Sequence, residues 1–327
     1  MEIRHTRFGM ALLGLAVGLS GVASGSFAQP TFPSKPIRMI VPIVPGGSID
    51  LFARRISQRI GESFGQPVVV ENIAGAAGSI GANTVARAAP DGYTLMYCPV
   101  ITVIGLQFVQ KGVTYDPIKD FTPIMAAVEA LTMIVAHPTA PGNDIRELLA
   151  FAKKNPGKLT FASAGVGSYF HLLGEILKRD TGTDILHVPY KGAPQALTDV
   201  ATGQVHMTFI SWAVGAPFIG RVKVMASMEN MRLPGAPNAP SLAEFIPGYE
   251  KLPSFFSFHG PGGMPRPILM RIHGELLKAL NLPETRAWLE QNGTVPIGSS
   301  PEELAVMQKK GMEAYAAAVK IAGVKPD

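Results

Sequence analysis

The sequence predicts an α/β protein built from two doubly wound lobes. Strand and helix patterns alternate along the chain, one strand–glycine turn–helix unit occurs twice, and 327 residues suffice for about two domains of 100–200 residues each. Such alternation indicates parallel strands joined by helical crossovers. Composition agrees with a folded chain, at 47% hydrophobic and 16% charged, far from the disordered class. The net charge of +5 is spread thinly, without a basic run or aromatic–basic interleaving, so nucleic acid is not an expected partner. Cys98 is the single cysteine. An internal disulfide and a structural zinc site are therefore not expected.

The first segment reads as an address. Arg4 and Arg7 precede an apolar stretch from Phe8 to about Val22, and Ser26 and Ala28 stand at the −3 and −1 positions of a secretory cleavage site. The expectation is a signal peptide over residues 1–28, cleaved after Ala28. The apolar stretch is short for a membrane span, and no cysteine follows the cleavage point to carry a lipid.

The mature elements follow in order. Ile37–Val41 is a buried strand, Pro45-Gly46-Gly47-Ser48 a turn, and Ile49–Phe64 an amphipathic helix with Ala53, Ile56 and Ile60 at helical spacing, closed by Gly65. Val68–Val70 is a short strand. A Gly/Ala-rich loop over 71–81 leads into a helix through Val85 and Ala88, and Tyr93–Cys98 is a further strand. The same grammar returns with strand Leu159–Ser163, loop Ala164–Ser168, helix Tyr169–Arg179 capped by Gly182, strand Ile185–Val188, helix Pro194–Thr202 and strand Val205–Ile210. Two helices beginning at proline, Pro267–Leu280 and Pro301–Ala322, end the chain.

The two glycine turns carry the chemistry. Pro45, Gly46, Gly47 and Ser48 in one, and Gly165, Val166, Gly167 and Ser168 in the other, stand between a strand and a helix. Glycine permits close backbone approach, and the free N–H groups and dipole of a helix start favour an anion. Facing one another at the carboxyl ends of their strands, the turns would hold a small carboxylate. Ser48, Ser163 and Ser168 are candidate hydroxyl donors, and Asp50 and Asp199 candidates for orienting loops or waters. Tyr190-Lys191-Gly192 closes a strand where a cleft or hinge would lie.

Catalytic signatures are missing. Neither turn continues into Gly-Lys-Ser/Thr, and Gly75–Gly81 only approaches a dinucleotide fingerprint. No Gly-x-Ser-x-Gly elbow or His-Glu-x-x-His helix occurs. His171 and Glu175 lie four apart on one helix, but a single pair supplies too few ligands for a metal. A secreted hydrolase would need a nucleophile with a nearby base, which these motifs do not supply.

The segments Pro33–Arg38, Pro45–Asp50, Gly65–Asn72, Pro90–Leu95, Tyr115–Phe121, Pro156–Leu159, Ala162–Ser168 with His171 and Gly174-Glu175, and His187–Gly192 resemble, in order, the solute-binding proteins of tripartite tricarboxylate transporters, the Bug family. The resemblance implies a type II periplasmic binding protein: two α/β lobes joined by crossing strands and closing on a carboxylated solute, with 29–128 and 230–327 in one lobe and 129–229 in the other. It implies ligand loops at Pro45–Asp50 and Ser163–Ser168, holding a carboxylate through backbone groups and waters. It further implies a periplasmic monomer without catalysis, cofactor or metal, delivering its solute to a membrane permease of large and small subunits. A protein signalling to a sensor kinase would share this ligand chemistry.

This chain departs from the family's usual pattern in places. After Glu71-Asn72 the family usually has Arg-Pro-Gly-Ala-Gly-Gly, where this chain has Ile73-Ala74-Gly75-Ala76-Ala77-Gly78. The lost arginine, and the added methyl of Ala77 beside Ala76, suit a less charged or bulkier solute. Ile219–Val224 also differs, and Phe255 stands in place of the usual tryptophan. Mono-, di- and tricarboxylates, aliphatic or aromatic, all remain open on the sequence.

Overall fold

A computed structural model describes residues 32–326; the expected signal peptide lies outside them. The chain builds β1 (Ile37–Val41), α1 (Ser48–Phe64), β2 (Val68–Asn72), α2 (Ser79–Ala86), β3 (Thr94–Pro99), α3 (Val100–Ile104) and β4 (Phe121–Ala130). It then passes through β5 (Thr132–Ala136), α4 (Ile145–Lys154), β6 (Leu159–Ser163), α5 (Tyr169–Thr181), β7 (Ile185–Pro189), α6 (Ala193–Ala201), β8 (Met207–Ser211), α7 (Trp212–Gly215) and β9 (Lys223–Ser227). It ends with β10 (Phe255–Pro261), α8 (Arg266–Leu280), α9 (Pro283–Gln291), β11 (Thr294–Pro296) and α10 (Pro301–Ile321).

The strands form two sheets, ordered β11-β4-β10-β3-β1-β2 and β7-β6-β8-β5-β9. Apart from the added edge strand β11, the two orders are the same. Parallel pairs occur where crossover helices join successive strands, as in β1 with β2 and β3, and β6 with β7 and β8. The sheets are not wholly parallel, however. Strand β5, reached through the single residue Leu131 after β4, runs antiparallel to β8 and β9, and β10 runs antiparallel to β3 and β4. Both strands enter their sheet from the other lobe, so no local helical crossover sets their direction.

Local sequence explains the helices that matter here. In α1 the buried Phe52, Ala53, Ile56 and Ile60 form the stripe packed on the first sheet, and Gly65 ends the helix with φ 66°. Strand β1 is buried at Ile37, Met39, Ile40 and Val41, as expected for a strand covered on both faces. In the second sheet Phe161 and Phe209 meet edge to face at 5.9 Å. Helix α10 starts with a capping box between Ser300 and Glu303 and with Pro301 in its first turn. It packs on α3 in the first lobe and on α5 in the second.

One ion cluster sits where the chain changes sheets. Lys251, just before β10, places its ammonium 2.8 Å from Glu129 Oε1 at the end of β4 and 2.6 Å from Glu229 Oε2 just after β9. The other Glu229 oxygen accepts the Thr132 N–H that opens β5, at 2.8 Å. Burial pushes the Glu229 carboxyl above its ordinary value, with the Lys251 charge acting against it. Removing the ammonium leaves the largely buried Glu229 and the half-buried Glu129 without a counter-charge. Lys251→Met should therefore cost about 3–5 kcal/mol by denaturant unfolding at pH 8. The loss should be smaller at pH 5, where Glu229 can take up a proton; an equal loss at both pH values would contradict this account.

Candidate functional site

Four of the helices that follow the carboxyl ends of strands are α1 after β1, α3 after β3, α5 after β6 and α7 after β8. Their first residues, Ser48, Val100, Tyr169 and the Ser211–Val214 segment, converge on a cavity of about 380 Å³. Thr132, Ser254 and Phe256, from the crossing segments, also line it. This is where a doubly wound sheet is expected to bind ligands, and the volume suits a small organic molecule.

The first glycine turn holds the start of α1 open. The Gly47 N-cap provides no side-chain cap, so the first N–H groups of a 17-residue helix are left for another acceptor. Asp50 does not supply it, because its carboxylate turns inward. Oδ2 accepts from the Gly46 N–H at 2.9 Å and from Arg54 Nε at 3.0 Å, while Oδ1 accepts from Asn72 Nδ2 at 2.9 Å. Asn72 also accepts from Arg54 Nη2 at 2.8 Å. Burial raises the Asp50 carboxyl, but these donors and the Arg54 charge outweigh it and leave it below its ordinary value. Asp50 is thus a positioning residue for the turn. Gly46, at φ 93°, takes a backbone shape that favours glycine.

The second turn is wired to itself. Ser163 Oγ lies 2.7 Å from His187 Nε2, accepts the Gly165 N–H at 3.1 Å and donates to the Gly165 carbonyl. Gly167 N–H donates to His171 Nδ1 at 3.1 Å, which leaves the proton of a neutral His171 on Nε2, 3.9 Å from Glu175. Ser168 Oγ caps α5 through the His171 N–H. The His171 and His187 rings stack at 4.1 Å. Burial pushes His171 below its ordinary value, and burial, with the neighbouring His171, pushes His187 down to about 4. Both rings are neutral at pH 7 and serve the shape of the loop. The amides of Gly165 and Gly167 are engaged within the loop; Tyr169 and Phe170, at the start of α5, face the cavity instead. A Cβ on Gly167 would lie 3.3 Å from Val109 of the other lobe, at φ 76°.

The remaining candidates are dispersed. Pro45, Gly46 and Gly47 are exposed at the rim beside Ser48, and Val166 is exposed above the second turn. Ala76 and Ala77 lie exposed in left-handed backbone, at φ 44° and 52°. Asp199 stands against Tyr190, where burial and this carboxylate push the phenol up to about 12; neither residue lines the cavity. Sequence reasoning missed Pro99–Ile101, Ser211–Val214 and the crossing-strand residues. The first two follow strands β3 and β8, whose carboxyl ends were the available signal. Among the described residues no group of three His, Cys, Asp or Glu is placed to hold a metal, and no helix is long and apolar enough to cross a membrane.

The TctC family, the tripartite tricarboxylate transporter family receptor, matches residues 52–321. The chain belongs to this family. It is 30% identical to the protein BugT of Bordetella pertussis over 322 residues, 97% of this chain and 98% of that one. Among solved structures it is similar to the periplasmic binding protein BugD, at 32% identity and TM-score 0.75 over 90% of this chain and all of the other. A Rhodopseudomonas palustris protein with adipate gives TM-score 0.79 at 29% identity, over 90% of this chain and all of the other. MatC from the same organism, with bound malate, gives 0.74 at 28%, over 88% of this chain and all of the other. As a TctC-family receptor, the protein is a periplasmic-type solute-binding protein with the two-lobed α/β fold of its relatives.

Two substitutions test the geometry. Asp50→Asn should loosen the Gly46 turn and weaken solute binding about tenfold, equivalent to 1.4 kcal/mol. Because the folded-state carboxyl is depressed, wild-type Asp50 contributes stability above its unfolded value, near 3.9, and loses it as pH falls through the lower folded value. Acid unfolding of the variant should lack that component; identical acid profiles would contradict the role. Ala77→Gly relieves a left-handed alanine and should raise stability by about 1 kcal/mol, read as a higher denaturation midpoint.

Proposed function

We propose that this receptor captures a small carboxylate outside the cytoplasm and presents it to a membrane permease of large and small subunits, without chemistry on the solute. The carrying observation is the uncapped start of α1 opening onto the cavity, with the start of α5 across from it. A helix start stabilises an anion through its N–H groups and dipole. The adipate and malate held by two relatives are small carboxylates of the kind this arrangement suits.

The α1 turn, Pro45 to Asp50, supplies the anion end: Ser48 and the first N–H groups take the carboxylate, and Asp50 holds the turn. Ser163, Gly165, Gly167, Ser168 and His171 shape the opposing turn, and Ala76, Ala77 and Val166 stand at the margins. Residues 29–128 and 230–327 form one lobe and 129–229 the other, closing on the solute by a hinge motion at the crossings. Export by a signal peptide cleaved after Ala28 and action as a monomer complete the reading. No cofactor or metal has a part in it.

A melting-temperature screen of residues 29–327 against mono-, di- and tricarboxylates tests this. A true solute at 100 times its Kd adds about 2.7 kcal/mol, a rise of several degrees. A flat response from protein stripped by unfolding and refolding would overturn the proposal.

A further inference from the structure

The ligand cavity has no charged residue in its lining, and one wall of it is aromatic. Phe52 stacks on Trp288 at 6.0 Å and lies 5.3 Å from Tyr97, which is 6.3 Å from Phe256; all four line the cavity. Arg54, Arg55 and Lys251 stand outside the lining and are engaged elsewhere. Arg54 is bound to Asp50 and Asn72, Arg55 stacks over the Trp288 ring, and Lys251 lies between Glu129 and Glu229.

Three of the lining hydroxyls commit their protons to protein acceptors. Ser254 donates to Glu129 at 3.0 Å, Tyr169 to the Leu252 carbonyl at 2.9 Å and Tyr315 to the Pro253 carbonyl at 2.7 Å. Each offers a ligand only lone pairs, which repel a carboxylate. Tyr97 differs. Its side chain is 1% exposed, its hydroxyl has no protein partner among the described residues, and burial keeps it protonated. A hydroxyl without a protein partner on a residue lining the cavity can meet a neutral polar atom of a ligand.

The geometry points to a solute with one carboxylate and an uncharged apolar body of aromatic size, seated among Phe52, Tyr97, Phe256 and Trp288. This rests on the reading that the α1 start holds a carboxylate, and it narrows the class. A second carboxylate at the aromatic wall would meet no counter-charge and, in Ser254, Tyr169 and Tyr315, hydroxyls whose protons are already committed, an environment that strongly disfavours an ion. A hydroxyl or keto group on the body is accommodated by Tyr97.

Calorimetric titration of refolded, ligand-free protein with matched probes tests the proposal. The probes are phenylacetate, 1,4-phenylenediacetate and phenylacetamide, with hexanoate and adipate as the aliphatic pair. Phenylacetate and hexanoate should each bind at least about a hundredfold more tightly than the corresponding diacid. Diacids binding as well as or better than the monoacids would overturn this inference and leave the carboxylate-receptor reading standing. Phenylacetamide matching phenylacetate, or no carboxylate binding at all, would overturn that reading as well. Trp288→Ala should weaken phenylacetate by about tenfold through lost apolar contact. Unchanged affinity in a variant of native circular dichroism would overturn the placement of the body.

Discussion

The chain passes between its two sheets at Leu131 and again over residues 228–254, and the Lys251 ammonium joins the ends of both passages through Glu129 and Glu229. Much else depends on this clamp. Because β5 and β10 are each carried into the opposite sheet, the carboxyl ends of β1, β3, β6 and β8 bring four helix starts to one cavity, while Thr132, Ser254 and Phe256 supply its floor. The Glu229 carboxylate also takes the first N–H of β5, so electrostatics at the crossing and geometry of the sheet are one arrangement. A buried ion pair contributes little net stability compared with an apolar replacement. Its value here is orientational, since it fixes where two strands leave and re-enter the lobes.

Within that frame the two glycine turns do different work despite similar sequences. In the first, Asp50, Arg54 and Asn72 hold the turn from behind and leave the helix start bare. In the second, Ser163, held by His187, and His171 engage the Gly165 and Gly167 amides, and Ser168 caps the helix. The anion chemistry is therefore lopsided toward α1. The second turn brings Gly167 against Val109 of the other lobe, a contact that a larger residue would push apart.

Much of this was legible in the sequence where local signals are strong. Ile37–Val41 and Leu159–Ser163 were read with the bounds observed, because β-branched and apolar runs end at turn residues. The starts of α8 and α10 were marked by proline, and Gly65 and Gly182 marked helix ends. The crossing strands were not legible from the residues themselves. Strand β4 is rich in alanine and contains Pro123, and β5 follows it after one residue with no turn signal. Only the family resemblance implied such strands. The direction of β5 and β10 is a tertiary property that alternation cannot report. In the site, the serine and aspartate types were evident but their partners were not: Asp50 meets Asn72, and Ser163 meets His187, across neighbouring strands. The aromatic wall was invisible for the same reason, since Phe52, Tyr97, Phe256 and Trp288 come from four separate elements.

No charged side chain lines the cavity, and Ile73, Ala76 and Ala77 stand outside its lining. In the function proposed above, the bare start of α1 rather than a side-chain cation neutralises the solute. A crystal structure of the protein with phenylacetate bound tests this most directly. The account predicts the carboxylate within hydrogen-bond distance of the first N–H groups of α1 and the Ser48 hydroxyl, with the ring beside Trp288. A carboxylate paired with an arginine or lysine side chain, or a ring directed out of the aromatic end, would contradict it.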